Sequence, residues 1–544
     1  MSFKKVLLVT SICTATFATT NLYAAAAVPS QKTATQDSSL IKNTLISNLD
    51  SLFPFQTHVT VGKVDQDSNG DITASDILIV SSGNDNPNVS IDKLEVKGLK
   101  ANQKITKDVS IKVEGLRITN LASSVANSNA VSANVNSKNL SGDNNLYKIA
   151  MDTIGKSVYN FEFDYDYSDS TLEFSLDSTV NKKPFVKEDF ELTNFDLSDT
   201  AFDNDFLASL RNKAMTSKIK ELEFDVNFSE VLKEITSQYL GKDYKETPNL
   251  DINGTLGKTT GEFELNVDGN LGSESHVKYN AVVDGIDLKN TQVKDILNGS
   301  NAFLKNAYIQ SNTADAAIEL NFDKDSFSKK SPFQQILDLL GKKQLDIKIT
   351  SNSSYEDSKY NNNFNMKTDG LASLSASTQA VVNGKLSLLP YLGVADKNQK
   401  DLYNCNNQLC LTNIDLSFVN NGFLEKIARY TNKDPNTTPQ QILGSYGALL
   451  QLFAVQQQDQ FLRETLSSFA MFLQNPKNIS IHAKANKPVN QTALLNMLVD
   501  DTKSLKKQNP MKNSNGRVDL SKSPDIKLIN DLQKIFKITF DVNS

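Results

Sequence analysis

Apolar and polar residues alternate with a period of two along much of this chain, and this alternation constrains the fold more than any other feature. The clearest example is YNFEFDYDYSDSTLEFSLDS, residues 159–178. Successive side chains of a strand point to opposite faces, so the segment predicts a hairpin with one apolar and one acidic face. The predicted apolar face carries Phe161, Phe163, Tyr165, Tyr167, Leu172, Phe174 and Leu176, and the acidic face carries Glu162, Asp164 and Asp166.

Short amphipathic helices separate the alternating segments. In KSPFQQILDLLGKK, Ser331, Pro332 and Gln334 form the pattern of a capped helix start. Residues three and four apart share a helix face, so this helix is expected to bury one apolar stripe. The predicted stripe consists of Phe333, Ile336, Leu337 and Leu340.

The chain becomes more helical after residue 430. Thr438 and Pro439 repeat the capping pattern before a helix over 439–456, and a second helix is expected over 459–474. The short polar link between them predicts an antiparallel pair, whose apolar stripes either pack internally or form a groove for an acyl chain or a partner helix. The stripes are Ile442, Tyr446, Leu449, Leu450 and Phe453 on the first helix and Leu462, Leu466, Phe469, Ala470 and Leu473 on the second.

These patterns predict a strand-dominated α+β fold, with long antiparallel hairpin sheets, short covering helices and a helical C-terminal section. The expected segments are a signal peptide over 1–26, a β-rich N-terminal segment over 27–121, a flexible polar loop over 122–144, the main hairpin and short-helix body over 145–430, and a helix-rich section over 431–544 that ends in a strand. Short helices cover too little of such a sheet. We therefore expect either that two sheets pack together or that part of the apolar face stays open for an apolar ligand.

The first 26 residues have the pattern of a secretory signal peptide. Lys4 and Lys5 precede an apolar stretch, and YAAAAVPS offers small residues for cleavage. An uncleaved anchor fits less well, because the apolar run is short and rich in Thr and Ser. No later stretch reaches the ~18 apolar residues of a spanning helix. We expect a periplasmic or secreted protein of a Gram-negative bacterium, with no transmembrane segment after cleavage.

The net charge argues against nucleic acid as a partner. The chain has 57 Lys and Arg against 63 Asp and Glu, a formal charge of −6, and cleavage would also remove Lys4 and Lys5. An acidic chain without a basic run lacks the electrostatic surface that binds phosphate backbones or anionic lipid head groups.

Cys405 and Cys410 are expected to form a disulfide. Two cysteines this close pair by default in an oxidising compartment, and the Asn-rich link between them favours a turn. Zinc is a weaker alternative, because the three histidines are scattered and there is no second cysteine pair. A redox-active pair, the third alternative, usually has two intervening residues.

The segment DQDSNGDITASD, residues 65–76, matches the ligand pattern of a calcium loop. Its candidate ligands are Asp65, Asp67, Asn69, Asp71 and Asp76, with a glycine at the sixth position. The flanking residues alternate like strands, and Asn69 with the following glycine is a strong hairpin signal. We therefore expect a hairpin between a strand ending near residue 64 and one over 72–80, with calcium binding by this loop as the alternative.

No catalytic constellation stands out. The motif Gly-x-Ser-x-Gly is absent, and Ser39 with Lys42 matches Ser-x-x-Lys only as a short, common pattern. Gly257 and Lys258 lack the glycine that a phosphate loop carries five residues earlier. We expect no enzymatic activity and no cofactor other than calcium.

The C-terminal third is similar to a group of uncharacterised exported proteobacterial proteins in NIDLSFVNNGFLEKIARYTNKD, FLQNPKNISIHAKANKPVN and IKLINDLQKIFKITFDV. Strands of the type VSIDKLEVKGLK resemble those of YdgA-like and AsmA-like envelope proteins. This resemblance implies long, twisted antiparallel sheets and, for some members, a role in envelope lipid homeostasis. The expected loss of the leader departs from the AsmA-like pattern, which has an N-terminal anchor, and argues against bridging of two membranes.

The leading functional hypothesis is an exported, non-enzymatic envelope protein that binds lipid or another apolar ligand, or scaffolds envelope assembly with protein partners. The alternative is a secreted protein that interacts with a host or neighbouring cell, with or without calcium. The third hypothesis is a hydrolase without a recognisable motif.

Overall fold

The computed structural model of the protein describes residues 38–51, 57–81, 88–100, 102–119, 152–240, 248–257, 261–270, 275–287, 292–294, 308–309, 312–326, 332–387, 399–432, 434, 436–507 and 531–543. The chain divides into two compact units. Unit 1 comprises Met1–Thr259 and Leu288–Phe303, and unit 2 comprises Thr260–Asp287 and Leu304–Ser544. The predicted signal peptide and the predicted loop over 122–144 lie outside the described residues.

The fold is α+β and strand-dominated, as the alternation predicts. In the described residues of each unit, nine strands form an antiparallel sheet. Within each unit, neighbouring strands of this sheet follow one another along the chain. Antiparallel neighbours favour this order because a short turn is enough to join them.

Unit 1 consists of a sheet with helices against its apolar face. Its strands are β1 (Thr57–Gln66), β2 (Ile72–Ser81), β3 (Asn88–Lys97), β4 (Val109–Thr119), β5 (Val158–Asp166), β6 (Thr171–Val180), β7 (Lys183–Thr193), β8 (Lys218–Asn227) and β9 (Asn249–Leu256). The helices among its described residues are α1 (Ser38–Ser51), α2 (Phe206–Thr216) and α3 (Ser229–Leu240). Together they enclose one hydrophobic core, to which α1, α2, α3 and most strands contribute.

The described residues of unit 2 form a nine-stranded sheet, a separate small sheet and five α-helices. Its strands are β10 (Phe263–Asn270), β11 (His276–Val283), β12 (Ile286–Asp287), β13 (Tyr308–Ile309), β14 (Asn312–Asp323), β15 (Gln344–Glu356), β16 (Lys359–Thr368), β17 (Ala372–Val381), β18 (Leu386–Ser387), β19 (Cys410–Asn420), β20 (Asn478–Asn490) and β21 (Phe536–Val542). The small sheet consists of β12, β13 and β18. The helices are α4 (Pro332–Leu340), α5 (Phe423–Thr431), α6 (Pro439–Val455), α7 (Gln460–Gln474) and α8 (Gln491–Lys507).

The hairpin expected over 159–178 is confirmed. β5 and β6 pair with Phe161 opposite Leu176, Phe163 opposite Phe174 and Tyr165 opposite Leu172. The ring of Phe174 also stacks on that of Phe190 in β7, with centroids 4.6 Å apart. Aromatic pairs between neighbouring strands stabilise strand pairing, and here they form one row on the apolar face.

The division into units follows the pairing of strands. β4 and β5 pair directly, with Ile111 opposite Phe163, so the strands on both sides of 122–144 belong to the same unit. The chain passes between the two units near residues 260, 288 and 304. The polar composition of a segment says nothing about whether the strands before and after it pair. That pairing depends on the apolar faces of the strands, which are distant in sequence.

The helix start predicted at Thr438 is confirmed. Thr438 Oγ1 accepts a hydrogen bond from the Gln441 backbone N–H (3.2 Å), and Gln441 Oε1 accepts one from the Thr438 N–H (2.7 Å). α6 and α7 pack against each other. A Cβ on Gly447 would lie 2.8 Å from the Ala470 carbonyl oxygen, so a glycine permits this close helix contact.

The apolar stripes predicted on α4 and α6 are only partly correct. On α4, Leu337 and Leu340 are buried but Ile336 is 45% exposed, and Ser331 lies outside the described residues. α6 buries Ile442, Leu443, Gly447 and Ala454, and exposes Tyr446, Leu449 and Phe453. The close contact of Gly447 with α7 involves one face of α6, and Tyr446, Leu449 and Phe453 lie outside it. No helix in the described part of the chain is long and apolar enough to cross a membrane.

Candidate functional site

Unit 1 holds an apolar cavity of about 180 Å³ between its sheet and two helices. Strands β2 to β6 line one side, and α1, α2 and Phe202 line the other. Eighteen of its 19 lining residues are Leu, Ile, Val or Phe, and the exception is Asn48. The candidate site is therefore a hydrocarbon-lined space with a single amide at its helix side.

A row of irregularities crosses β1 to β4 on the sheet side of the cavity. In each strand, two inward-facing apolar residues are separated by three positions instead of two. The pairs are Val61 and Val64, Ala74 and Ile77, Ile91 and Leu94, and Val113 and Leu116. The pairing of neighbouring strands is interrupted at the same place, between 62 and 76, between 76 and 92, and between 92 and 115. The register does not shift across these positions, so each strand carries the same local irregularity opposite that of its neighbour.

Charged and small residues hold this row of irregularities in place. A Cβ on Gly115, whose φ is +72°, would lie 2.1 Å from Asp92 Oδ2. Asp92 receives two hydrogen bonds from the Arg117 guanidinium, at 2.7 and 3.0 Å. This contact with Arg117 lowers the pKa of Asp92. Glycine is required at position 115, because a side chain would both strain the backbone and displace the Asp92 carboxylate.

Two helices complete the cavity. α1 buries Ile41, Leu45 and Leu49, which are four residues apart and share one helix face. On α2, Phe206 is fully buried, and its ring meets that of Phe202 edge to face at 5.3 Å. Aromatic and branched aliphatic side chains thus form both sides of the space.

Asn48 is the only polar residue in the cavity lining and is 1% exposed. Its Nδ2 donates to the carbonyl oxygens of Thr44 (2.9 Å) and Asp203 (2.7 Å). Its Oδ1 accepts from the Leu207 N–H (3.0 Å), one of the N–H groups at the start of α2 that have no partner within the helix. Asn48 therefore caps α2 from another helix, a role that local sequence does not reveal.

The size and lining of the cavity suit a small apolar ligand. An apolar cavity of about 150 Å³ stays dry and binds small hydrophobic molecules. The cavity in unit 1 can hold a comparable molecule, a segment of one hydrocarbon chain or one end of a larger aromatic molecule. A charged or strongly polar group would find no partner on the sheet side, and burying it there would be unfavourable.

The predicted calcium loop is the β1–β2 hairpin. Gln66 lies opposite Ile72, and residues 67–71 form the loop, which is longer than a two-residue turn. Asp67 Oδ1 accepts hydrogen bonds from the N–H groups of Asn69 (2.8 Å) and Asp71 (3.0 Å). Asp71 Oδ1 accepts one from the Gly98 N–H (3.0 Å). In this structure both carboxylates organise backbone within and beside the loop.

The other predicted calcium ligands lie on the strands. Asp65, on β1, pairs with Lys63. Asp76, on β2, lies in the row of irregularities with a φ of +54°. It is five residues from Asp71, or roughly 16 Å along a strand, which is too far for both to bind one ion. In the part of the chain that the structure describes, no group of three or more His, Cys, Asp or Glu residues could hold a metal.

The predicted disulfide is confirmed. Cys405 and Cys410 are bonded, with their Cα atoms 5.6 Å apart. Asn407, in the link between them, has a φ of +55° and makes the turn. Its Oδ1 accepts a hydrogen bond from the Lys385 N–H (2.8 Å). The disulfide therefore fixes a loop next to the start of β19.

His482, on β20, lies between the carboxylates of Asp415 on β19 and Asp541 on β21. Its Nδ1 is 2.6 Å from Asp415 Oδ1, and its Nε2 is 3.2 Å from Asp541 Oδ2. The hydrogen bond with Asp415, and then the charge of both carboxylates, raises the pKa of His482. Because both ring nitrogens have partners, this histidine has no free nitrogen with which to activate a nucleophile.

The sheet of unit 2 also carries an apolar row across its strands. The register aligns Val267, Tyr279, Ile318, Ile349, Met366, Leu374, Phe418, Ile479 and Val542. Phe472 of α7 contacts Phe418 with ring centroids 6.1 Å apart, and Phe469 contacts Phe540 at 6.2 Å. Leu374 remains 37% exposed. α7 thus covers the last strands of this face, and the apolar row continues beyond them.

A model of a protein family described only as an uncharacterised protein matches residues 365–512, which run from β16 to α8. No curated protein matches the chain, and no solved structure matches it.

Proposed function

We propose that this protein binds an apolar ligand, such as a hydrocarbon chain of a lipid, in the cavity of unit 1. The cavity is the observation that carries this proposal: a space of about 180 Å³ whose lining residues are apolar except for Asn48. Protein interiors are normally packed to the density of organic crystals. A cavity of this size leaves the apolar side chains around it without full packing contacts, so a ligand that fills it would be bound favourably.

The proposed cell location is the envelope, outside the cytoplasm. Two observations support it: the leader pattern after Lys4 and Lys5, and the bond between Cys405 and Cys410. Structural disulfides persist in oxidising compartments. The protein would act there as a non-enzymatic binder of lipid, and the polar part of the lipid would remain outside the cavity.

The first experiment identifies what the protein carries. Mature protein purified without detergent is extracted with organic solvent, and the extract is examined by mass spectrometry. We expect a lipid or fatty acid in a stoichiometric amount. An extract without any apolar molecule, combined with no binding of added probe, would contradict the proposal.

A matched pair of variants locates the site. Ile111 lines the cavity and is half-buried, and Ile538 is half-buried on β21 in unit 2. Ile111→Phe replaces a branched aliphatic side chain in the cavity with a larger aromatic one, which leaves less room for a ligand. It should weaken binding of the neutral fluorophore 1-N-phenylnaphthylamine at least tenfold. Ile538→Phe makes the same chemical change elsewhere and should leave binding unchanged. Equal effects of the two substitutions would place the binding site outside the cavity.

A protein-interaction function is the second candidate, and one observation favours it. On α6, Leu452 is 63% exposed and Val455 is 72% exposed. The helix carries no charged residue, and exposed apolar patches often mark interaction sites. Leu452→Ser combined with Val455→Ser should reduce binding to envelope partners in a pull-down while preserving lipid binding.

A further inference from the structure

We propose that α1 is the gate of the unit 1 cavity and that the Asn48 side chain holds it closed. This inference rests on the proposed function for its purpose, because a gate matters only if a ligand enters. Its structural part concerns the motion of α1 and can be tested without a ligand.

α1 is placed to act as a gate because it forms one side of the cavity. Leu45, Asn48 and Leu49 line the space, and the helix packs on β1 and α2. Moving α1 away would open the cavity without breaking any strand pair on the opposite side. Strands β3 to β5 cannot open it as easily, since each is hydrogen-bonded to a neighbour along both edges.

α2 is anchored differently from α1. Backbone hydrogen bonds fix the chain before it, from the Asn102 N–H to the Phe202 carbonyl (2.8 Å) and from the Phe202 N–H to the Gln103 carbonyl (3.1 Å). After α2, the Val293 N–H donates to the Ser217 carbonyl (3.2 Å). α2 is therefore the fixed side of the gate.

Asn48 makes the hydrogen bonds that join the gate to this fixed side. It binds the Asp203 carbonyl at 2.7 Å and the Leu207 N–H at 3.0 Å, so one amide contacts a donor and an acceptor at the start of α2. A leucine of similar size would suffice if this position served packing alone. The amide makes the contact directional: when α1 moves, both bonds break together and the Leu207 N–H must find water.

The test uses Asn48→Leu, which keeps the side-chain size and removes the hydrogen bonds. Asn490→Leu is the matched control, because Asn490 is also fully buried and also caps a helix, accepting from the Ala493 N–H at 3.0 Å in unit 2. Circular dichroism checks that both variants fold. If Asn48→Leu does not fold, Asn48→Asp, which lacks the donor to the Asp203 carbonyl, takes its place.

Hydrogen exchange of the full mature protein without ligand decides whether α1 opens. We expect peptides from 41–49 to exchange faster than those from β3, and Asn48→Leu to speed exchange of 41–49 at least tenfold without changing β3. Asn490→Leu should leave both regions unchanged. Equal exchange of α1 and β3 in the wild type and in Asn48→Leu would overturn the gate, because α1 would then open only with the whole core.

Stopped-flow release of 1-N-phenylnaphthylamine tests the link to the ligand. Asn48→Leu should release the probe at least tenfold faster than the wild type and Asn490→Leu. An unchanged release rate in Asn48→Leu would overturn the gate. Failure of the wild type to bind the probe would count against the proposed function, and the exchange measurement would still decide the gate.

Discussion

Replacing Phe206 with alanine tests how the cavity limits the stability of unit 1. Phe206 is 1% exposed and packs edge to face on Phe202. Truncation of a buried Phe to Ala typically costs about 3–5 kcal/mol. Here the new space adds to an existing cavity of about 180 Å³, which leaves the surrounding side chains less able to collapse. We expect a loss near the upper end, about 4–5 kcal/mol.

A ligand that fills the cavity should stabilise the folded protein. At about 24 cal/mol per Å³ of cavity, the present space of 180 Å³ corresponds to about 4 kcal/mol of packing that an apolar ligand can restore. Phe206→Ala enlarges the space, so the variant should gain more stability from 1-N-phenylnaphthylamine than the wild type does. A ligand at 100 times its Kd stabilises the folded state by about 2.7 kcal/mol, which a denaturation curve resolves.

The assay is urea unfolding followed by circular dichroism, because the chain has no Trp to report by fluorescence. Phe453→Ala is the control: Phe453 lies on α6 in unit 2 and is 38% exposed, and its loss should cost less than about 1 kcal/mol. Equal losses for the two variants, or no added stabilisation of Phe206→Ala by the probe, would refute the account of the cavity.

Three further predictions concern other parts of the structure. The pKa of His482 is raised above its unfolded value of about 6.5, so its contribution to stability is complete below that pH and is lost as pH rises through the folded value. His482→Gln should therefore lower the free energy of unfolding more at about pH 6 than at about pH 9. An equal loss at both pH values would contradict the raised pKa. Thr438→Ala removes a capping box and should lower stability by about 1 kcal/mol in urea unfolding, whereas no change would show that α6 does not need its cap. Calorimetric titration of calcium tests the predicted loop, with Asp67→Asn as the variant that should abolish any heat; equal heats from both proteins would exclude Asp67 as a ligand.

Features that depend on neighbouring residues in sequence could be predicted from the sequence. The β5–β6 hairpin follows from strict alternation, the start of α6 follows from Thr438 and Pro439, and the disulfide follows from two nearby cysteines in a chain with a leader pattern. In each case the interacting groups lie within about 20 residues of each other, so local pattern determines them.

Features that depend on distant residues were missed. Asn48 lies on α1 but binds groups 155 and 159 residues away, and nothing near it in sequence indicates that contact. The exposed face of α6 was missed because Gly447 meets Ala470 of α7, which turns the large side chains away from the contact. One signal in the sequence does indicate the row of irregularities: the three-residue spacing of apolar residues in β1 to β4, such as Ile91 and Leu94, breaks the alternation there.

A crystal structure of the mature protein with 12-bromododecanoic acid would show whether the cavity of unit 1 binds a hydrocarbon chain, because bromine can be located by its anomalous scattering. We expect bromine density inside unit 1, among Phe163, Phe174 and Leu210, with the carboxylate outside the cavity. Density only elsewhere on the protein, with the cavity unoccupied at saturating ligand, would contradict it.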